Sequence, residues 1–428
     1  MTRREWAWAS YDWANSAFPT VVSTFVIAAY VTQGIAPDPV TGQVMWGWMQ
    51  ALVGLAIGLA SPLLGAIADA GGRRRVLLAI CTGLTAFFTA GIWFATPEPS
   101  SALWALLCVA LASLCFELGT VFYNAMLPAV TTPARIGRLS GIGWALGYAG
   151  GLVCLVLCLV LLVQPDPPLL PLDRGQAEHV RATALLVAGW LLLFAWPFLL
   201  LAPAERAPRQ PWGRAATEGL ADLLRLLRGL PGRPALLRFI LARLLYTDGL
   251  NVLFAFGAVF AAGAFGMGFE EILLFGIALN VTGGLGALAG GWVDERFGPK
   301  ATVIGALLCL MVIGAAMLLV TSKPLFWVLG VSLGLFFGPA QAASRSLMAR
   351  LAPPDEMAAC FGLFALSGRA TGFFGPAMLA LVTDVTDSQR WGMAVVLLLL
   401  GGGALLLLGV RGEGTGRVIP PDAPARRG

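Results

Sequence analysis

The chain has 428 residues, of which 58% are hydrophobic and only 12% are charged, and its formal net charge is +5. A soluble domain carries about 25% charged residues, so the composition excludes an ordinary soluble protein and indicates a polytopic membrane protein. The basic excess does not indicate nucleic-acid binding, because the Lys and Arg residues lie in short segments between apolar runs, where they set membrane topology.

Apolar runs along the chain predict an all-α membrane protein with twelve spans. About 20 apolar residues suffice for a helix to cross a bilayer. In the first half, the predicted spans cover residues 13–33, 46–68, 76–95, 102–127, 139–163 and 182–202. In the second half, they cover residues 238–262, 270–293, 301–320, 325–348, 358–382 and 391–410.

The spans form two groups separated by a polar segment. We assign 1–203 to an N-terminal six-helix bundle, 204–237 to a cytoplasmic linker, 238–410 to a C-terminal six-helix bundle and 411–428 to a disordered cytoplasmic tail. Within the linker, Ala216 to Arg228 predicts a short amphipathic helix on the membrane surface, with Arg225 and Arg228 toward the lipid headgroups.

The distribution of Lys and Arg predicts the orientation of the chain. With the N-terminus inside, 21 of the 28 basic residues lie on the cytoplasmic side, four lie outside and three lie within spans. Short loops rich in Lys and Arg stay in the cytoplasm, so we expect both termini there. The preference for Arg over Lys is typical of a GC-rich genome, and we expect a bacterial inner membrane.

A polar cluster recurs at the start of spans one and seven. In each copy an Asp lies three residues before an Asn, so that the two share one helical face. An acid inside a membrane is costly and marks a functional position. A polar face repeated in both halves is typical of a transporter's central cavity. The two copies are Tyr11-Asp12-Trp13-Ala14-Asn15-Ser16-Ala17-Phe18 and Tyr246-Thr247-Asp248-Gly249-Leu250-Asn251.

Two further patterns repeat between the halves. A Gly-rich loop with an Asp follows span two, from Gly65 to Arg74, and a second copy follows span eight, from Gly290 to Lys300. Six spans followed by six more in parallel repeat predict two bundles that flank a central cavity and are related by a pseudo-two-fold axis. In addition, four residues recur 221 positions later: Pro133, Gly141, Gly147 and Gly151 as Pro354, Gly362, Gly368 and Gly372.

The loop after span two resembles a motif of the major facilitator superfamily. Its spacing, Gly-x-x-x-Asp-x-x-Gly-Arg-Arg, matches the superfamily loop between spans two and three, although Ala70 replaces the usual basic residue after the Asp. The second copy carries one extra residue before Gly298.

More particular stretches resemble the vacuolar amino-acid effluxer-like branch of that superfamily. The resemblance covers the whole chain apart from the tail. It implies the major facilitator fold and solute transport by alternating access, and fungal vacuolar members of the branch export amino acids. The stretches that carry it are Tyr11 to Phe18, Phe122 to Pro128, Ser140 to Tyr148 and Tyr246 to Gly249.

The two Gly-rich loops are predicted to act as gate latches. Asp69 would accept hydrogen bonds from Arg73 and cap the positive N-terminus of a neighbouring helix, and Asp294 is its counterpart in the second loop. Such contacts would break and re-form as the bundles rock. The alternative is that the arginines at 73–75 only enforce topology.

Three acidic residues are candidates for substrate binding or proton coupling. Asp12 and Asp248 would bind a substrate ammonium or carry a coupled proton; alternatively, each caps a helix at the membrane surface. Glu117 lies amid the apolar fourth span, so it faces the protein interior. It would carry the coupling proton, or else pair with one of the arginines within the spans.

Basic, amide and aromatic side chains complete the predicted site. Arg345 and Arg369 present a fork suited to a substrate carboxylate; alternatively, they form internal salt bridges, or Arg345 simply marks the cytoplasmic end of its helix. The amides offer paired donors and acceptors for an amino acid or sugar, or else tie helices together. The remaining candidates are Asn15, Asn124, Asn251, Trp144 and Tyr148.

Taken together, these patterns predict a secondary active transporter and not an enzyme. The chain has no nucleotide-binding Gly-Lys-Ser/Thr loop, its single His179 lies in a polar loop, and its seven cysteines lie in apolar segments. We therefore expect no metal or other cofactor. The expected partners of this monomer are a small polar solute, first an amino acid and with export as one direction, protons and the lipid bilayer.

Two alternatives remain open. One is a transporter of a sugar, a drug or a lysolipid. The other is a protein of another class on the same scaffold, either a membrane receptor that does not transport or a lipid scramblase.

Overall fold

The computed structural model describes residues 1–165, 170–203, 211–267, 269–368, 372 and 374–410. Every regular element within these residues is helical, as predicted. Ten helices of the described chain are long and apolar enough to cross a membrane. The predicted tail and the first seven residues of the predicted linker lie outside the described residues.

The helices follow the predicted order of spans. Those of the first half are Arg3–Asn15 with its continuation to Ile35, Pro39–Gly71, Arg74–Gly91, Ala102–Ala125, Ile136–Cys158 and Glu178–Leu201. Those of the second half are Pro234–Phe265, Phe269–Phe297, Pro299–Leu319, Lys323–Leu351, the pair Met357–Ser367 and Phe374–Thr386, and Gln389–Leu408. Between the halves lies the linker helix, Trp212–Gly229.

Span one begins at Arg3 and not near residue 13 as predicted. Thr2 and Glu5 form a capping box: the Thr2 hydroxyl accepts from the Glu5 amide at 3.2 Å, and the Glu5 carboxylate accepts from the Thr2 amide at 2.6 Å. The cap starts the helix before the apolar run. Asp12 therefore lies inside the helix, and the alternative that it caps the start of span one is wrong.

The structure describes two helical stretches in span eleven, where the sequence predicted one continuous helix over 358–382; residues 369–371 and 373, between the two stretches, lie outside the described residues. The first, Met357–Ser367, is named here the gate helix, and the second is Phe374–Thr386. Gly368 follows the first stretch as a turn, and this glycine was a local signal that a prediction from hydropathy alone passed over. Arg369, a predicted site residue, lies outside the described residues.

The internal repeat is visible in the backbone. Single 3₁₀ turns at Pro133–Arg135 and Pro354–Glu356 precede spans five and eleven, whose helices begin at Ile136 and Met357. Each of these starts differs from its counterpart by the 221 residues seen in the sequence. The two Gly-rich loops also correspond, since Gly72 and Gly298 both adopt positive φ, 56° and 84°. Glycine adopts this conformation without steric cost.

The two bundles meet at one end of the molecule, which also carries the N-terminus and the linker helix and is named here the closed end. Spans two and eleven cross there, and spans five and eight cross on the opposite side. A Cβ atom on Gly362 would lie 2.4 Å from the Ser61 carbonyl oxygen, and one on Gly141 would lie 2.5 Å from the Ala287 carbonyl oxygen. Only glycine allows the backbones to approach so closely.

The linker helix packs against the end of span two. A Cβ atom on Gly219 would lie 2.7 Å from the Ile67 Cα atom, and the Arg73 guanidinium lies 4.5 Å from the centroid of the Trp212 ring. Leu220 and Leu224 point away from the protein and are exposed. Placement of this helix on the membrane surface stays a prediction.

Candidate functional site

An ion pair between two largely buried side chains joins the two bundles. The Arg345 guanidinium of span ten lies 2.9 Å from the Asp12 carboxylate of span one, and the two side chains are only 5% and 14% exposed. The helix of span ten continues beyond Arg345 to Leu351, so the guanidinium is not at the helix end. The predicted salt bridge therefore forms between spans of different bundles.

The other donors of Arg345 also bond to the N-terminal bundle. Its Nε donates to the Ser140 hydroxyl at 2.9 Å, its Nη2 to the Ser140 carbonyl at 2.7 Å, and its Nη1 to the Asn124 side-chain oxygen at 3.4 Å. A Cβ atom on Gly143 would lie 2.4 Å from Asp12 Oδ2 and 2.9 Å from Arg345 Nη2. Span five therefore needs glycine at this position to pass the ion pair.

Aromatic rings surround the guanidinium on the same side. Arg345 lies 4.8 Å from the Trp8 ring, 5.8 Å from the Trp144 ring and 5.9 Å from the Tyr123 ring. Trp8 and Tyr123 stack at 4.5 Å, and the Tyr123 hydroxyl donates to the Trp8 carbonyl at 3.0 Å. Ring faces attract cations, most strongly where water is excluded, so the surroundings suit a positive charge even when Asp12 is engaged elsewhere.

Of the other predicted residues on this side, Asn15 and Tyr148 contact neighbouring helices. The Asn15 amide donates to the Thr120 hydroxyl of span four at the limiting distance of 3.5 Å. Tyr148 lies next to Trp144 and packs on span eight, where a Cβ atom on Gly283 would be 3.1 Å from its Cζ atom. Asn15 therefore contacts span four, and Tyr148 contacts span eight.

Asp248 lies in span seven, but its carboxylate caps the second helix of span eleven. Its Oδ2 accepts from the amide of Gly375 at 2.7 Å, at the start of the second helix of span eleven, and the residue is 2% exposed. Its Oδ1 has no hydrogen-bond partner among the described residues. Asn251, one turn further, donates to the Gly368 carbonyl at 3.5 Å. Within the described residues, Asp248 forms no hydrogen bond or ion pair with Asp12 or Arg345.

Arg243 of span seven is buried next to the end of the gate helix. Its Nη1 donates to the Phe364 carbonyl at 2.6 Å and to the Ser367 hydroxyl at 2.9 Å, and its guanidinium lies 3.4 Å from the Phe364 ring centroid. Glu117 of span four, which is half-buried, acts on Arg243 electrostatically. Of the arginine partners proposed for Glu117, Arg243 is therefore the one on which its charge acts.

The first Gly-rich loop contacts the start of the gate helix. Asp69 accepts from the amides of Ala358 and Ala359 at 3.1 and 3.0 Å, and pairs with Arg74 at 2.6 Å. The carboxylate thus caps a neighbouring helix, but its arginine partner here is Arg74, one position beyond the predicted Arg73. The Arg73 guanidinium instead lies over the linker helix at Trp212.

The second Gly-rich loop contacts the start of span five in a similar way. Asp294 pairs with Arg350 at 3.1 Å and lies against Gly137, where a Cβ atom would be 2.4 Å from its Cγ atom. The next residue, Glu295, pairs with Arg138 of span five at 2.6 Å. The closed end is therefore held on both sides by an acidic residue at the start of a helix of the other bundle.

Several contributors were missed from the sequence. Trp8 lies four residues before Asp12 and Ser140 four residues before Trp144, so each shares a helical face with a predicted site residue. Those spacings were available signals, but Trp8 lies before the predicted span over 13–33 and was not considered. Nothing local marked Arg74 in place of Arg73, or Arg350 as the partner of Asp294.

Comparison with known proteins assigns the chain to a family. The family described as "Vacuole effluxer Atg22 like" matches residues 40–135 and 130–415. The chain belongs to this family. It is therefore an integral multi-pass membrane protein of the major facilitator superfamily, and its homologues are transporters and not enzymes.

Individual relatives of this Atg22-like protein are bacterial and fungal. The "Uncharacterized MFS-type transporter YxiO" of Bacillus subtilis (strain 168) is 24% identical over 391 residues, which are 91% of this chain and 90% of that protein. The "Autophagy-related protein 22" of Cryptococcus neoformans var. neoformans serotype D (strain JEC21 / ATCC MYA-565) is 26% identical over 281 residues. That match covers 61% of this chain and 48% of the fungal protein, so it spans about half the length of the relative.

A solved structure shares the fold. The proton:xylose symporter XylE bound to 6-bromo-6-deoxy-D-glucose superposes with a TM-score of 0.70, at 14% identity and with coverage of 95% of each chain. The fold of two helical bundles predicted from the sequence is thereby confirmed as that of the major facilitator superfamily.

Proposed function

We propose that this Atg22-like protein moves a small zwitterion, in the first place an amino acid, between the two bundles by alternating access. The observation that carries the proposal is the Asp12–Arg345 ion pair, which is buried and joins the bundles. Its two charges match the ammonium and the carboxylate of an amino acid. The family to which the chain belongs supports secondary transport, and its description as an effluxer supports export.

A zwitterion is favoured because it leaves no buried charge without a partner. Removing one member of a buried ion pair costs about 3–5 kcal/mol, since the other is left uncompensated. A substrate carboxylate would pair with Arg345 through its planar fork, while the ammonium would pair with Asp12 and lie near Trp144. Asn124, Asn251 and Tyr148 would contribute polar contacts. A neutral sugar would satisfy neither charge.

Alternating access follows from the contacts at the closed end. With both termini in the cytoplasm of a bacterial inner membrane, this conformation is closed toward the cytoplasm. Opening there would require Asp69 to leave the gate helix and Asp294 to leave span five. Because the two loops are repeat-related, both contacts would break together as the bundles rock about the bound solute.

Glu117 is proposed to carry the coupling proton. It is half-buried in an apolar span and acts on Arg243, so its charge is felt across the two bundles. Protonation would remove the negative charge of Glu117 and so weaken its electrostatic attraction to Arg243. Asp248 is the second candidate, because one of its buried oxygens has no hydrogen-bond partner among the described residues. The transporter is proposed to work as a monomer.

Uptake into proteoliposomes tests the proposal. Purified protein would be reconstituted and given a labelled amino-acid pool, with and without an imposed pH gradient. We expect gradient-driven accumulation that is lost in Asp12→Asn and in Arg345→Gln, and uncoupled from the gradient in Glu117→Gln. Asp222→Asn is the matched control, since this carboxylate of the linker helix is 40% exposed and pairs with its neighbour Arg225 on the same helix.

Other results would contradict the proposed function or one of its parts. Accumulation of a sugar, a drug or a lysolipid in place of the pool would contradict the zwitterion. Binding without movement would indicate a receptor, and movement of fluorescent lipid between leaflets without a solute gradient would indicate a scramblase. Equal accumulation by wild type and Glu117→Gln would remove this residue from proton coupling.

A further inference from the structure

We propose that the gate helix, Met357–Ser367, moves separately from the second helix of span eleven when the closed end opens. Its start is held by Asp69 of the N-terminal bundle, and its end is held by Arg243 of its own bundle. The proposal rests on transport by alternating access. The new element of the proposal is Arg243, which is assigned as the positioning residue that ties the end of the gate helix to span seven.

The N-terminal clamp is a carboxylate from the other bundle. The first amides of a helix lack partners within it and carry partial positive charge. Asp69 satisfies two of them, those of Ala358 and Ala359. Just before the helix, Glu356 forms a salt bridge with Arg233, and this hydrogen bond raises the pKa of Arg233 above its ordinary value. The start of the gate helix is therefore held by a carboxylate that caps its first amides and by a salt bridge just before it.

The C-terminal clamp has the opposite charge. The last carbonyls of a helix lack partners and carry partial negative charge, which a cation stabilises. Arg243 donates to the carbonyl of Phe364 and to the hydroxyl of Ser367, which itself donates to the same carbonyl at 2.8 Å. The guanidinium is buried and lies against the Phe364 ring. It therefore replaces the hydrogen bonds that a continued helix would have made.

The packing of span eleven separates its two helices. The gate helix packs most extensively on spans two and four of the N-terminal bundle, whereas the second helix packs on span twelve of its own bundle. The approach to span two is close: a Cβ atom on Gly65 would lie 2.3 Å from the Ala358 carbonyl oxygen. Asp248 holds the start of the second helix independently, at Gly375.

The two helices of span eleven thus have different neighbours and different clamps. When the bundles separate at the closed end, the second helix would stay with span twelve while the gate helix leaves span two. Of the two clamps, Arg243 is the one on which the charge of Glu117, the residue proposed to carry the proton, acts. Its position would let a change of charge at Glu117 reach the closed end.

Chemical labelling of Cys360 tests the proposal without any substrate. Cys360 lies on the gate helix and is fully buried. In a variant that keeps it as the only cysteine, we would measure its rate of reaction with N-ethylmaleimide in proteoliposomes. Arg243→Ala is expected to raise the rate about tenfold, because hydrogen bonds from a charged group are worth at least that factor. Arg243→Lys should restore part of the protection.

Arg238→Ala is the matched control. This arginine lies in the same span and donates to the Gly409 carbonyl at the end of span twelve, at 2.6 Å, where Lys300 also donates to neighbouring carbonyls. It should leave the labelling rate unchanged. Asp69→Asn is the second variant, expected to raise the rate as well, and it keeps the test decisive if Arg243→Ala does not fold.

Hydrogen exchange of the backbone amides distinguishes a gate helix that moves separately from a span eleven that moves as one rigid unit. In Asp69→Asn and Arg243→Ala, the gate helix should gain exchange while the second helix keeps its protection. Equal gains in both helices, or labelling of Cys360 unchanged in both folded variants, would overturn the proposal. Because neither measurement uses a substrate, such a failure leaves the transport proposal intact, and failure to find uptake leaves the labelling result intact.

Discussion

Asp12 and Arg345 lie 333 residues apart in the chain and form an ion pair of 2.9 Å between the two bundles. All the contacts described for the Arg345 guanidinium belong to the N-terminal bundle, although the residue is part of the C-terminal one. The pair therefore acts as a central cross-link. Any opening of the closed end that separates spans one and ten has to break it, unless a ligand takes its place.

Loss of one member of this pair should destabilise the protein. We expect Arg345→Gln to lower the free energy of unfolding by about 3–5 kcal/mol, because Asp12 is left buried without a counter-charge. Thermal unfolding in detergent would measure the change. The double variant with Asp12→Asn should be less destabilised than the sum of the single variants. A control is Lys323→Gln, which breaks a pair whose members are 39% and 31% exposed and should have little effect.

The crossing of spans two and eleven should not tolerate a side chain at its closest point. Gly362→Ala places a Cβ atom against the Ser61 backbone, and we expect it to cost about 1–3 kcal/mol through overpacking. Gly305→Ala is the matched control in span nine, where a Cβ atom meets nothing within 4 Å. That variant should be neutral or stabilising by up to about 1 kcal/mol, since Ala favours helix more than Gly. Equal effects in the two variants would contradict the packing.

Asp69 and Asp294 should contribute additively to keeping the closed end shut. Asp69→Asn and Asp294→Asn each weaken one side of the closed end, and their effects should add because distant sites without shared partners behave additively. Spin labels at the exposed Ala134 and Phe297 would report the distance between bundles at this end. We expect a longer distance in each variant and the largest shift in the double variant. A distance that does not change in either would exclude both loops as latches.

Recognition of a zwitterion predicts which analogues compete for uptake. An amino-acid amide lacks the carboxylate for Arg345, and a deaminated acid lacks the ammonium for Asp12. Each should compete about tenfold more weakly than the parent amino acid, or worse, because a buried charge is left unpaired. Competition against labelled amino-acid uptake measures this. Amides that compete as well as amino acids would remove Arg345 from carboxylate binding.

Much of the fold was predictable because it depends on local patterns. Apolar runs located the helices, and the 221-residue repeat anticipated the equivalent starts of spans five and eleven at Ile136 and Met357. The capping box of Thr2 and Glu5 was also a local signal, and the sequence prediction missed it by following hydropathy alone. Span eleven also carried a local signal, because Gly368 and Arg369 interrupt its apolar run directly after the gate helix, and the prediction from hydropathy passed over it.

By itself, the sequence determined the class of protein, the order of the spans, the internal repeat and the identity of the polar residues within apolar runs. These follow from composition and spacing, which act over a few helical turns. Only the tertiary structure decided that Arg345 meets Asp12, that Arg243 meets the end of the gate helix, and that Asp248 caps the second helix of span eleven. A buried charge takes whichever partner the packing of distant helices brings within hydrogen-bond distance, and no local pattern records that choice.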